Sequence, residues 1–143
     1  MYYSFDQYTI NSNNEMINLA ESTIKYNAQL NNVNIISNSI IGTNAIEFNG
    51  KSFINIKSFN LLSNNFTISL WLNRSGTVAN RSILNFNNNI YIQDMVSYIK
   101  LGVNSKYGST TYDFYDMGNY KNNWCHFVWV SNGNTWTLYL NNK

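Results

Sequence analysis

The chain has 143 residues, nine basic and seven acidic, with a formal net charge of +2 and only 11% charged side chains. That length allows one domain with a sizeable core, and 44% hydrophobic with 16% aromatic content excludes a disordered tail. The scattered basic residues exclude the basic stripe of a nucleic-acid binder, and no apolar run approaches transmembrane length.

Cys125 is the only cysteine, which excludes an internal disulfide and a cysteine-based metal cluster. The 29 asparagines take the place of the missing charges. An amide-coated surface repels its neighbours weakly and suits close packing; AT-rich coding, which favours Asn, Ile, Tyr and Phe, is the plainer explanation. The start, Met1-Tyr2-Tyr3-Ser4-Phe5-Asp6, has neither a basic nor an apolar signal-peptide region. The expected location is therefore a soluble one, cytoplasmic or associated with a particle assembled there.

Short runs of strand-forming residues recur along the chain. Tyr2 to Phe5 opens the series, followed after a polar stretch by Ala28 to Leu30 and Val33 to Ile36. Between Tyr2 to Phe5 and Ala28, Met16, Leu19, Ala20 and Ile24 stand at helical spacing behind Asn14 as an N-cap, so residues 14–26 are the one candidate for a short helix. Ala45 to Phe48 and Phe53 to Ile56 flank Asn49-Gly50, a signal for a hairpin or a tight corner. In Phe66 to Leu72, strict alternation puts Phe66, Ile68, Leu70 and Leu72 on one face and Thr67, Ser69 and Trp71 on the other.

Ile83 to Phe86, Ile90 to Gln93, Tyr98 to Val103 and Thr111 to Tyr115 continue the rhythm. The chain closes on "WCHFVWVSNGNTWTLYLNNK", two alternating runs around Ser131-Asn132-Gly133-Asn134, a strong hairpin signal. His126 shares a face with Trp124, Val128 and Val130, which reads as the core side; Cys125 lies on the other face with Phe127 and Trp129. The chain has no proline, so its turns rest on Gly, Asn, Asp and Ser. These features predict an all-β, two-sheet antiparallel β-sandwich in one domain, 1–143. Its expected core includes Phe66, Ile68, Leu70, Val128, Val130, Trp136, Leu138 and Leu140.

Five segments in order resemble the concanavalin A-like lectin/glucanase superfamily in its laminin G-like (LamG) jelly-roll branch. "YYSFD" resembles the opening strand, and "NAIEFNGKSFINI" resembles the strand, Asx-Gly, strand unit. "FTISLWL" resembles the signature strand, "NNWCHFVWV" the Trp-x-His strand, and "WTLYLNN" the strand that ends in a Tyr-x-Asn-Gly turn. Two departures stand out: Asn142 replaces the usual turn glycine, and the family's further strands do not follow Lys143. The resemblance thus implies a jelly-roll domain lacking its last strands, with the edge of "TWTLYL" covered by a partner chain, by the N-terminal segment or by further residues.

The resemblance also frames the chemistry. Glucanases of this superfamily place acid and nucleophile on a Glu-x-Asp-x-x-Glu strand, and glycosidic cleavage needs two carboxyl groups at a defined separation. Here Asp6, Glu15, Glu21, Glu47, Asp94, Asp113 and Asp116 offer no such pairing, so no catalytic residue is expected and a degenerate glycoside hydrolase is the weakest reading. His126, the only histidine, reads as a buried ring with a satisfied hydrogen bond.

Many relatives in the superfamily hold calcium through loop oxygens. The weak candidates here are Asp113, Asp116 and Asn119, with Asp94 joining them; calcium requires six to eight oxygens, and no metal or other cofactor is otherwise implied. For carbohydrate or partner contact, the aromatic, glycine-punctuated stretch "SKYGSTTYDFYDMGNY" offers Tyr107, Tyr112, Tyr115 and Tyr120, and Trp71 offers a further face. The same tyrosines would also suit half-buried strands. The expected activity is a non-catalytic interaction or structural module within an assembly, a capsid or other virion protein of an AT-rich large DNA virus. A lectin-like glycan binder is the alternative.

Overall fold

The computed structural model describes residues 3, 10–19, 26–56, 65–75, 80–86, 89–105, 108–115 and 121–143. They form β1 (Glu15–Met16), β2 (Ala28–Asn31), β3 (Asn34–Ile36), β4 (Ala45–Glu47), β5 (Phe53–Ile56), β6 (Asn65–Asn73), β7 (Arg81–Phe86), β8 (Ile90–Asp94), β9 (Ile99–Ser105), β10 (Gly108–Phe114), β11 (Trp124–Asn132) and β12 (Trp136–Leu140). The protein is all-β, and every pairing between these strands is antiparallel. Chain contacts define two compact units, residues 1–59 and residues 60–143.

In the first unit, β1-β2-β5 form one sheet and β3-β4 a second. Met16, Ala28 and Leu30 are buried, with Ile10, Val33, Ile46, Ile54 and Ile56 packed against them. The helix expected near 14–26 is not formed over its described part. Asn14 adopts a left-handed φ of 58°, its side-chain amide donates to the Leu30 carbonyl at 2.9 Å, and its own carbonyl accepts from the Leu30 N–H. The Asn11 carboxamide oxygen accepts from the Asn13 and Glu15 N–H groups, both at 3.0 Å. Local side-chain bonding of this kind offers the backbone a turn instead of a helix, and Glu15–Met16 then pairs with Gln29 and Ala28. Residues 20–25, and most of the Tyr2 to Phe5 strand, lie outside the described residues.

Asn49-Gly50 makes a corner rather than a hairpin, because β4 pairs with β3 while β5 pairs with β2. Gly50 takes the φ of 85° that the turn requires. The Asn49 side chain accepts from the Lys51 N–H at 2.9 Å, and the Asn49 N–H donates to the Ser52 hydroxyl.

The second unit contains a four-stranded sheet, β10-β9-β8-β7, and a three-stranded sheet, β12-β11-β6. One core joins them: Ile90, Ile92, Ile99 and Leu101 from the first, Cys125, Phe127, Trp129 and Leu140 from the second. Two sheets sharing a core are the sandwich expected from the strand rhythm. The Asn132-Gly133 hairpin forms as expected, with Gly133 at φ 88° and the Asn132 N–H bonded to the Thr135 carbonyl.

The orientation of β11 reverses the sequence expectation. Cys125, Phe127, Trp129 and Ser131 are buried, whereas Trp124, His126, Val128 and Val130 are only half-buried. Both faces of β11 are apolar enough to be core, so its alternation alone gives a period without a direction. The direction comes from β6. There Thr67 and Ser69 must face solvent, and the register sets Phe127 opposite Leu70 and Trp129 opposite Ile68. Residues directly opposite share a face, so Val128 and Val130 leave the expected core and His126 lies on the outer face. Phe66, Ile68, Leu70, Trp136 and Leu138 pack against the core as expected, and Leu140 is buried.

Trp129 is the largest fully buried side chain. Its ring meets Phe66 and Trp136 edge-on, with centroids 5.0 Å away in each case. Its buried indole N–H has no hydrogen-bond acceptor and sits among aromatic rings, which accept such groups weakly. Gly102 leaves a gap on the outer face of β9 that the Tyr91 ring fills: a Cβ there would fall 2.0 Å from the ring.

Candidate functional site

The outer face of β12-β11-β6 carries an exposed aromatic surface in the second unit. β6 contributes Thr67, Ser69 and Trp71; β11 contributes Trp124, His126, Val128 and Val130; β12 contributes Thr137 and Tyr139, by the registers of the two ladders. Trp71 is 37% exposed and Tyr139 44%. Trp71 stacks on His126 with ring centroids 4.9 Å apart and planes 17° from parallel. Ser69 Oγ and His126 Nε2 share a hydrogen bond at 2.9 Å. The His126 N–H donates to Asn141 Oδ1, and the Asn141 N–H donates to the His126 carbonyl, both at 2.9 Å. The histidine ring carries a hydrogen bond at Nε2, as expected, but lies on the solvent side of the sheet, while the bonds to Asn141 belong to its backbone.

The expected contact residues do not form one constellation. Tyr112 stands opposite Leu101 and Phe114 opposite Ile99, so Tyr112 shares the core-side face of the four-stranded sheet. It emerges 51% exposed because β10 is that sheet's edge strand. Tyr115 follows β10, 65% exposed, with its ring 4.9 Å from Tyr98. Trp71 belongs to the outer face of the other sheet and does not join them. Tyr107 and Tyr120 lie outside the described residues.

Of the calcium candidates, Asp116 and Asn119 also lie outside the described residues. Asp113 stands opposite Lys100 on the outer face of β10, with Oδ1 buried and unbonded. Asp94 does not join it: Asp94 stands opposite the buried Ile99, on the other face, and its carboxylate is engaged by Arg74. No group of three or more His, Cys, Asp or Glu side chains placed to hold a metal occurs among the described residues.

Cys125 is buried, which suits the packing role expected of it; burial pushes its thiol up to about 11 against a lowering pull from the Arg74 charge. Sequence reasoning missed the Arg74–Asp94 pair, for which no local signal exists. It also missed Tyr139 as an exposed ring, although the alternation Trp136-Thr137-Leu138-Tyr139-Leu140 carries that signal.

The two long strands at the margins of the three-stranded sheet differ. In β11, the Asn132 and His126 bonds show that even-numbered residues point their backbone groups at β12, so odd-numbered ones point at β6. It follows that Phe66, Ile68, Leu70 and Leu72 bond to β11, while Thr67, Ser69, Trp71 and Asn73 direct their backbone N–H and C=O groups outward. On β12 the outward residues are Trp136, Leu138 and Leu140. Leu140 is already taken: the chain reverses through Asn141 and Asn142, at φ 49° and 67°, and Leu140 and Lys143 exchange two backbone bonds at 3.0 and 3.1 Å.

These features define an all-β protein whose second unit is an antiparallel sandwich with an aromatic outer face. No protein-family model, curated protein or solved structure matches the chain. No described helix is long and apolar enough to cross a membrane.

Proposed function

We propose that the chain is a non-catalytic structural or interaction module that works by surface contact within an assembly. The observation that carries this reading is the outer face of β12-β11-β6, where Trp71 and Tyr139 remain exposed and where β6 pairs only with β11 among the described strands. Large aromatic rings on a rigid scaffold are the residues that protein interfaces use as anchors. The low charge content supports it, because such a surface packs without strong repulsion. The five LamG-like segments support a jelly-roll module of the concanavalin A-like type. Together with the AT-rich composition, they favour a capsid or other virion protein of a large DNA virus, cytoplasmic before assembly. The dispersed carboxylates speak against glycosidase chemistry.

A glycan-binding module is the second reading, favoured by Tyr115, exposed beside the Tyr98 ring, and by the exposed Tyr112. A glycan array run beside light scattering separates the two. Concentration-dependent assembly that weakens in Trp71→Ala, with no saturable sugar signal, supports the contact module. Saturable sugar binding lost in Tyr115→Ala would replace it with the lectin reading.

A further inference from the structure

We infer that the outer edge of β6, from Thr67 to Asn73, is a self-recognition edge: it pairs with β6 of a second copy in antiparallel register centred on Ser69, making one continuous six-stranded sheet. This inference rests on the contact-module reading and names its partner.

Four observations carry it. First, β6 is nine residues long and pairs only with β11 among the described strands. The outward backbone groups of Thr67, Ser69, Trp71 and Asn73 have no partner strand there. Such an edge is a template for another strand unless something blunts it. Second, the usual blunting devices are missing: β6 has no proline and no charged residue, and its register with β11 runs unbroken from Asn65 to Asn73. The nearest charge in sequence, Arg74, is turned inward onto Asp94.

Third, the edge is chemically complementary to itself. Two copies related by a twofold axis through Ser69 place Thr67 opposite Trp71 and Ser69 opposite Ser69 of the second copy, each pair exchanging two backbone bonds. On the core side the same register sets Ile68 opposite Leu70 and Phe66 opposite Leu72. All four are only half-buried in the single chain, so the pairing shields apolar surface that β11 and the core leave uncovered. A one-residue slip would put these side chains against the solvent face, which excludes it; a two-residue slip keeps every face, and the cysteine reporters separate it from the register centred on Ser69. Fourth, the rival edge is obstructed: on β12, Lys143 already occupies the backbone groups of Leu140, so β12 cannot pair along its length with a second β12.

The test uses the whole chain and cysteine reporters that read the register. In the twofold pairing, two Ser69 Cα atoms lie about 5.5 Å apart, within reach of a disulfide. Two Thr67 Cα atoms lie roughly 14 Å apart, being four residues out of step. Under mild oxidation, Ser69→Cys should therefore form a disulfide dimer at least ten-fold faster than Thr67→Cys; the native Cys125 is buried. Sedimentation of the wild-type chain from roughly 1 to 100 µM, a range that detects micromolar affinity, should show a monomer–dimer equilibrium. Ser69→Lys should weaken it at least ten-fold, since it sets like charges directly opposite, while leaving the circular dichroism spectrum unchanged. Equal crosslinking of the two cysteine variants, or a dimer indifferent to Ser69→Lys, would overturn the pairing. Assembly through the aromatic face that ignores both cysteine positions would also overturn it while sparing the contact-module reading, and a strictly monomeric chain that captures no partner would sink both.

Discussion

Arg74 and Asp94, 20 residues apart in sequence, close one end of the second unit: the Arg74 Nε–H donates to Asp94 Oδ2 at 3.1 Å, and a second guanidinium nitrogen bonds Oδ1. Arg74 follows β6 and Asp94 ends β8, so the pair joins the two sheets. The same guanidinium donates to the Val96 carbonyl at 3.0 Å, and Asp94 Oδ1 accepts from the Val96 N–H at 2.8 Å. Both residues are 8% exposed. A buried pair is costly to break from one side, because the remaining charge is stranded.

Asp94→Ala should therefore destabilise by about 3–5 kcal/mol, read from urea unfolding. The double variant Arg74→Met/Asp94→Leu should lose less than Asp94→Ala alone, since it strands no charge. Equal losses would show that the pair adds nothing beyond packing.

Val96 sits at φ 72°, a conformation that costs L-residues roughly 1–2 kcal/mol and is least tolerated by β-branched ones. Val96→Gly keeps the N–H and C=O that serve Asp94 and Arg74. It should raise stability by up to about 1 kcal/mol after the entropic cost of glycine. A shift of the urea midpoint to lower concentration would contradict this.

The orientation of β11 is open to a paired test. Phe127→Ala should cost about 3–5 kcal/mol, as for a fully buried aromatic ring, whereas Val128→Ala on the outer face should cost less than about 1.5 kcal/mol. The reverse order in thermal unfolding would place His126 and Val128 in the core.

Gly102→Ala should displace the Tyr91 ring and cost about 1–3 kcal/mol by overpacking. Adding Tyr91→Ala should recover part of that loss, because the two positions compete for one space. Simple additivity of the two losses would rule out the competition.

The Cys125 thiol sets a pH dependence at the alkaline end. Its folded value, pushed up to about 11, lies above that of an exposed thiol near 9. Below about pH 9 the thiol is protonated in both states and contributes no slope. Between about 9 and 11 the unfolded chain loses the proton and the folded chain keeps it, so stability falls as pH rises. Comparing wild type with Cys125→Ala in urea titrations across that window isolates the effect: the extra slope should vanish in the variant.

Much of the fold is legible in local pattern. Phe66 to Leu72 shows its two faces because Thr67 and Ser69 are polar among apolar neighbours, and Asn132-Gly133 marks the hairpin that forms. The Trp71 ring is legible as exposed for the same reason. Less of the candidate site is legible, because β11 has no polar face to betray its orientation, and Asn49-Gly50 looks the same whether its flanking strands pair together or separate into two sheets. The helical spacing of Met16, Leu19 and Ala20 is outweighed at Asn14, whose side chain and backbone are drawn to Leu30.

The sequence by itself determined where strands lie and where the chain turns, because alternation and Asn-Gly pairs act over a few residues. Only the tertiary structure decided which face of each strand is core and which strands stand at the sheet margins among the described ones, because both depend on the register between strands distant in the chain. Only it could bring Arg74 to Asp94: a charge finds its partner through the packing of two sheets, and no local spacing records that.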